Sequence, residues 1–431
     1  MVSDAKINVH HLTRVEGHGD IVAVIQNGRL KDVKFAVVEA PRFFECFLQG
    51  QSYEEVVHIA PRICGICSVS HKSAALKATE EALSVKISEQ TRLLRLLAFN
   101  GEVISSHILH VYFLALPDFL DAPSVLSLVP THKDAVLRGM RLKRLGYDIC
   151  DVVAGRHTHP MGMIVGGFTF FHSEEQLIAL RGRIVQGLED MKETVNLYRT
   201  VSIPQFERET EYVSLTHPDR YPFYDGEIHS SEGHTISASD YGTAIREYVV
   251  PHSTAKHARW NRSEYMVGAL ARVNNNFNLL GPTAQQAAGD LGLEVPCHNP
   301  FMITAAQVVE SVHCLENSVD LIDKILNNRL MAGNEAVDVV PRNGVGVGVV
   351  EAPRGILYHE YAYDAGGMCT SANHIIPTAQ NLANLEADMR VYIPQIVQGT
   401  EEEVTHQLEM LVRAYDPCIS CSTHMVHVTV R

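Results

Sequence analysis

The chain has 431 residues, 46% of them hydrophobic and 20% charged, with a formal net charge of −14. That acidic balance argues against nucleic acid as a partner, because neutralising phosphates takes Lys and Arg. No apolar run is long enough to span a bilayer, and no basic segment followed by an apolar stretch opens the chain, so neither a membrane span nor a signal peptide is expected.

In chain order, "DIVAVIQNGRLKDVKFAVVEAP" (20–41) sets two alternating apolar runs on either side of Asn27-Gly28, which predicts a β-hairpin. From about Ser70 the apolar residues recur three and four apart, and 70–120 reads as long helices. The same period returns over 132–155, 173–201, 305–330 and 380–417, the second of these opening on Ser173 as an N-cap. Residues 200–260 are mixed and aromatic. No repeat, low-complexity tract or linker divides the chain. The expected fold is α+β and predominantly helical, a single domain over 1–431 with a central bundle of long helices and a small N-terminal hairpin or sheet.

Nine cysteines, an odd number scattered through a long chain, fit a reducing compartment with sulfur used for metals or chemistry. A cytoplasmic location is the expectation. "RICGIC" (62–67) places Cys64 and Cys67 ahead of His71, and "DPCISCSTH" (416–424) places Cys418 and Cys421 ahead of His424. Two intervening residues let both sulfurs of a pair face one ion at a loop-to-helix junction. Soft thiolates select zinc, iron–sulfur clusters, nickel or copper(I) over magnesium and calcium.

Zinc ribbons keep their pairs within a few tens of residues, whereas more than 350 residues separate these. A thioredoxin-like pair needs a βαβ context that neither has. One four-thiolate site, with both chain ends buried beside it, explains reactive side chains at a terminus that ordinarily frays. A structural zinc site and two separate pairs are the alternatives. "GVGVGVV" (344–350) is not G-x-G-x-x-G and runs into a proline, so no dinucleotide is expected there. Cys46, Cys150, Cys297, Cys314 and Cys369 are isolated and expected in the core.

"RVEGHG" (14–19), "RICGIC" with His71, "EAPRG" (351–355) and "DPCISCSTH" resemble the motifs of nickel–iron hydrogenase large subunits. The resemblance runs the whole length, through "RHTHPMGMIVGGF" (156–168) and "VVPHSTAKHARWNRSEYMVGALARVNNN" (249–276), and is strongest to the cytoplasmic, NAD(P)-linked and sulfhydrogenase type. It implies nickel held by Cys64, Cys67, Cys418 and Cys421. Cys67 and Cys421 would bridge to iron in a Ni–Fe(CN)2(CO) centre that splits dihydrogen heterolytically and reversibly.

It further implies that Cys418 takes the proton and that Glu16, by itself readable as a surface carboxylate, is the first relay. Arg354 would overhang the open metal position and Pro353 would pack beside the diatomic ligands. Thr378 would hydrogen-bond an iron cyanide near Asp416. Glu45, His424 and a backbone carbonyl near His374 would bind a magnesium-type ion, the alternative for Glu45 being a buried salt bridge. Many uptake-type members carry an acidic residue where this chain has Ser106.

No iron–sulfur cluster or nucleotide is expected in this chain. The resemblance therefore implies an iron–sulfur small subunit and a flavin or NAD(P) module as partners. A heterodisulfide reductase, a ferredoxin or a bifurcating module is the alternative acceptor. Residues 425–431, "MVHVTVR", match an extension that a maturation endopeptidase removes after nickel insertion. Two rivals come from other classes. The quinone-site subunit of respiratory complex I is opposed by the retention of all four cysteines, and a zinc-stabilised scaffold remains.

Overall fold

Asn27 and Gly28 both take positive φ (52° and 67°), as a two-residue turn between twisted strands requires. The turn joins β2 (Gly19–Gln26) to β3 (Arg29–Val37), and β1 (Ala5–Val9) completes an antiparallel sheet in the order β1-β2-β3. The predicted hairpin is thus present, with one further strand. The computed structural model describes residues 5–10, 12–327 and 336–424. The expected C-terminal extension, 425–431, lies outside them.

About half of the described chain is helical and the sheets are small, in agreement with the α+β expectation. The apolar stretch after the first cysteine pair forms α1 (Ser68–Ala82) and α2 (Glu89–Ile108). Ser88 separates them by accepting the Thr91 N–H at 3.1 Å, an N-cap that starts the second helix. Beyond α2 the backbone widens into a π-helical segment, Leu109–Ala115, just ahead of Pro117. Proline offers no N–H and its ring crowds the carbonyl four residues back, so an α-helical register cannot run through it undisturbed.

Next come α3 (Val129–Ala154) and α4 (Glu174–Tyr198). The aromatic middle region supplies short strands, β4 (Glu211–Thr216), β5 (Glu227–Ser230), β6 (His234–Ile236) and β7 (Tyr265–Met266), ordered β7-β4-β5-β6. Helix α5 (Ile303–Asn327) packs on both α2 and α4. A second antiparallel sheet follows, β8 (Gly344–Ala352), β9 (Gly355–Tyr363) and β10 (Cys369–Ile375).

The helical stretch expected over 380–417 divides into α6 (Pro377–Ile396) and α7 (Glu401–Ala414). Thr400 accepts the Glu403 N–H at 3.2 Å while Glu403 accepts the Thr400 N–H at 2.7 Å, a capping box that begins a new helix. Among the described residues no helix is long and apolar enough to cross a membrane.

The glycines of 344–350 have a packing role. A Cβ on Gly344, Gly346 or Gly348 would lie 2.0, 2.1 or 1.9 Å from the carbonyl oxygen of Ala82, Ala78 or Ala74. One face of β8 therefore lies directly on the alanine face of α1. The alternating Gly-Val pattern marks a strand that a helix touches, and α1 in turn carries the first cysteine pair at its start.

Cys150, Cys314 and Cys369 are buried as expected, but Cys46 is exposed and Cys297 only half-buried. Cys46 lies on the short helix Phe44–Leu48, whose inward face is taken by Glu45 and Leu48. Gly348→Ala should destabilise the chain by about 1–3 kcal/mol, read as a lower denaturant midpoint, because the strand must leave α1. Gly182→Ala, on an exposed part of α4 with nothing within 4 Å, should raise the midpoint by up to about 1 kcal/mol.

Candidate metal centre

Each cysteine pair sits where a loop turns into a helix. The single turn Ala60–Ile63 ends at Cys64, and Cys67 is the residue immediately before α1. The sulfur of Cys64 accepts the N–H groups of Ile66 at 3.3 Å and Cys67 at 3.1 Å. These donors and the positive end of α1 favour a thiolate. At the other end of the chain Asp416 takes φ of 49°, a left-handed conformation that Asp tolerates, and turns α7 into Cys418 and the short helix Ile419–Ser422.

Backbone pairing brings the two ends together. Glu16 forms a parallel bridge with Cys418, and the Ile419 N–H donates to the Glu16 carbonyl at 2.9 Å. The Glu16 carboxylate accepts the Ser420 N–H at 3.1 Å and also the Ser420 hydroxyl. Arg42 pairs with His424, its N–H reaching the Thr423 carbonyl at 2.8 Å. The Arg42 guanidinium donates to the Ile63 carbonyl beside Cys64, so one residue touches both cysteine loops.

The result is four sulfurs facing one point. The sulfurs of Cys64, Cys67, Cys418 and Cys421 all lie within 4.8 Å of one another. Cys64 and Cys418 approach to 3.6 Å, and Cys418 and Cys421 to 2.9 Å, well beyond the disulfide bond length of about 2.05 Å. All four are buried, 2–6% exposed. Burial opposes ionisation of Cys64, but the neighbouring thiols donate to it and hold it well below the usual thiol range. The same hydrogen bonds, from Cys421 first, push Cys418 well above that range. One thiolate among buried thiols is what the protein alone supports. A soft divalent cation fits this donor set, since it would let the remaining thiols ionise.

Above the sulfurs lies a polar canopy. Arg354 donates through Nε to the Asp416 carbonyl at 2.7 Å, through Nη2 to Asp416 Oδ1 at 2.8 Å and through Nη1 to Ser106 Oγ at 3.1 Å. Gln307 donates to Asp416 Oδ2 at 3.1 Å. Thr378 Oγ1 accepts the Cys418 N–H at 3.0 Å. Behind this layer Arg272 donates to Glu310 at 2.6 and 2.7 Å and to Glu351 at 2.9 Å, all three side chains being fully buried. Arg272 also donates to the carbonyls of Ala352 at 3.0 Å and Pro353 at 2.9 Å, which fixes the turn that carries Arg354. His107 and Tyr221 complete the shell of Glu310, at 2.8 and 2.7 Å. Burial works against ionisation of Glu310, yet Arg272 and His107 bring it from 4.5 down to about 2.

The residues expected around a second ion also converge. Glu45 Oε1 lies 3.2 Å from His424 Nδ1 and accepts the backbone N–H of His374 at 3.0 Å. Glu247 Oε1 stands 3.2 Å from His424 Nε2, and both atoms are buried without a hydrogen bond. Two carboxylates and an imidazole with unsatisfied polar atoms fit a cation of borderline or hard character.

The sequence-derived set is thus gathered in two neighbouring places. Cys64, Cys67, Cys418 and Cys421 stand together with Arg354, Asp416 and Thr378, and Glu45 stands with His424 and His374. Glu16 meets Cys418 through its backbone, while its carboxylate is engaged by Ser420. Sequence reasoning missed Glu247, Arg272, Gln307 and Glu310. A signal existed for two of them. Gln307, Glu310 and His313 recur every third residue in the otherwise apolar "AAQVVESVHCL", and polar groups at that spacing on a buried helix need partners.

Fold and site together define an α+β protein built around four buried cysteines placed to hold one metal ion. The profile of the nickel-dependent hydrogenase family matches residues 42–141 and 216–424. Sulfhydrogenase 1 subunit alpha of Pyrococcus furiosus is 34% identical over 427 residues, 98% of either chain. The NAD-reducing hydrogenase HoxS subunit beta of Cupriavidus necator is 26% identical, over 97% of this chain and 94% of that one. Among solved structures, an NAD+-reducing [NiFe]-hydrogenase in the H2-reduced state superposes with a TM-score of 0.88 at 27% identity, covering 97% of this chain and 99% of that chain. The chain belongs to the nickel-dependent hydrogenase family and is an oxidoreductase acting on H2.

The depressed pKa of Glu310 makes a stability prediction with a definite sign. A carboxylate held at about 2 in the fold and near 4.5 when unfolded adds stability above pH 5, and that stability is lost as pH falls from about 5 towards 2. Glu310→Gln should therefore be less stable than wild type at pH 7, by about 3 kcal/mol at most. Its denaturant midpoint should respond less than that of wild type between pH 5 and pH 3.

Proposed function

We propose that this chain is the catalytic subunit of a cytoplasmic nickel–iron hydrogenase that passes electrons to an iron–sulfur small subunit and on to a flavin or NAD(P) module. The observation that carries the reading is the meeting of four buried sulfurs from opposite ends of the chain. The nucleotide-linked assignment is supported by likeness to NAD-reducing hydrogenases. The whole of 1–431 is one catalytic domain, a bundle of long helices with both chain ends buried at the metals. Residues 425–431 are an extension that an endopeptidase removes.

Cys64, Cys67, Cys418 and Cys421 would hold the nickel, and Cys67 and Cys421 would serve the iron as well. When bound, the Ni–Fe(CN)2(CO) centre supplies the two-electron chemistry that separates H2 into protons and electrons. The sulfur of Cys418 receives the proton. Glu16, tied to Cys418 by backbone pairing, carries that proton onward when its carboxylate exchanges Ser420 for the thiol.

Arg354, fixed by Asp416 and Ser106, sets a positive charge over the sulfurs and excludes water. Thr378 stands beside Cys418, its hydroxyl oxygen accepting the Cys418 N–H so that its proton is free to donate to a diatomic ligand. Pro353 is the further residue assigned to pack beside those ligands. Glu45, Glu247 and His424, beside the His374 backbone, hold a magnesium-type ion that locks the C-terminus in place.

Infrared spectroscopy of the anaerobically purified protein should show iron-bound carbon monoxide and cyanide, with nickel and iron near equimolar and a chain mass ending at His424. Cys418→Ser should lose more than about 10-fold of the bound nickel. Zinc in the thiolate centre without those bands would return the protein to a scaffold. Arg354→Lys should keep its nickel and lower H2-dependent dye reduction by about 100-fold or more, because lysine cannot reproduce the two-pronged contact with Asp416.

A further inference from the structure

Apart from the thiolate centre and the Glu45–His424 pair, two imidazoles and a carboxylate converge where β3, the loop ahead of His257 and α6 meet. The loop is tied to the end of β3. Thr254 donates its N–H to the Val37 carbonyl at 3.0 Å and its hydroxyl to the Glu39 carbonyl at 2.7 Å. Glu386, reaching from α6, accepts the Phe35 N–H at 3.0 Å, and the same oxygen lies 2.7 Å from His252 Nε2. His257 opens a short strand paired with Arg246–Tyr248. Its ring is 2% exposed, and its Nε2 has no hydrogen-bond partner among the described residues.

An orphaned buried nitrogen of this kind is destabilising. Its natural partner would be a donor or a cation, and the groups beside it are a second imidazole and a carboxylate. One nitrogen from each histidine and one oxygen of Glu386 lie within 4.8 Å of one another. Two imidazoles and one carboxylate form the donor set of zinc sites that keep a fourth position for water. That position is available, because the His252 side chain is 18% exposed. Arg390 reaches only the other Glu386 oxygen, at 3.5 Å from a solvent-exposed position, and leaves the shared oxygen to the histidines. Imidazole nitrogen selects zinc-like transition metals over magnesium or calcium.

We propose that His252, His257 and Glu386 bind one zinc-type divalent ion, which clamps the loop carrying His252 to α6 and β3. The ion takes the lone pair of His257 Nε2, and His252 turns its ring proton to Nδ1 so that Nε2 can coordinate. The role is structural, and the site does not depend on how the thiolate centre is loaded.

The test is zinc-edge X-ray absorption, with metal analysis, on the full-length protein incubated with zinc chloride and desalted. About one zinc per chain beyond nickel and iron is expected, with only nitrogen and oxygen neighbours near 2.0–2.1 Å. His257→Gln and Glu386→Gln should each retain less than about a tenth of that zinc with nickel and iron unchanged. Failure to retain zinc would overturn the proposal. So would sulfur neighbours near 2.3 Å, which would put the zinc among the cysteines. Equal zinc in wild type and both variants would overturn it as well. The wild-type spectrum decides the matter even if a variant does not fold.

Discussion

Everything at the site depends on one long-range closure, the meeting of Cys64 with Cys418 across 354 positions of sequence. For a flexible chain, joining two points that far apart costs about 5 kcal/mol, only slightly more than a loop half as long. Distance along the chain is therefore not the obstacle. The obstacle is the chemistry of the junction, four buried thiols of which one ionises and the rest resist. The protein offsets this by pairing backbone beside the sulfurs, Glu16 with Cys418 and Arg42 with His424, so that closure does not rest on sulfur alone. An ion bound by thiolates from both ends would couple its binding to this closure, as in small metal-dependent domains.

The second theme is charge buried in pairs. Arg354 with Asp416, Arg272 with Glu310 and Glu351, and Arg413 with Asp118 are all nearly inaccessible. Such pairs add little over a hydrophobic replacement, since desolvation takes back what attraction provides, although removing one partner alone is costly. Their value is positional. Arg272 grips the carbonyls of Ala352 and Pro353, and Arg14, which shares Asp118 with Arg413, grips the carbonyl of Leu114 at 2.6 Å within the widened helix segment. A hydrophobic replacement could match their energy but could not aim a backbone turn.

Features whose cause is local were legible in the sequence. Asn27-Gly28 announced its hairpin because few residue pairs tolerate two consecutive positive φ values. The cysteine pairs announced a metal because thiolate chemistry fixes their spacing. The glycines of 344–350 lack the G-x-G-x-x-G spacing, but their contact with α1 was hidden, because it depends on a helix more than 260 positions away. The break between α6 and α7 was written in Thr400 and Glu403 but masked by the continuous helical period around it. Glu247 and Arg272 were invisible for a deeper reason. A buried charge is recognised by its partner, and one sequence does not say which distant residue that is.

Helix α1 shows how these levels meet. Its alanine face is set by β8, the amides of Ile66 and Cys67 just ahead of it go to the sulfur of Cys64, and those of Val69 and Ser70 in its first turn go to the carboxylate of Glu102. Glu102 accepts the N–H groups of Val69 at 2.5 Å and Ser70 at 2.8 Å, yet burial prevails and pushes it up to about 8. A fully charged carboxylate there would compete with the thiolate for the positive end of the helix and repel it. Because the carboxyl is held largely neutral near pH 7, it caps the helix without opposing the sulfurs. The positive end of the helix is left to Cys64, the one sulfur of the first pair held below the usual thiol range. The burial that makes Glu102 a poor anion spares that thiolate a competitor.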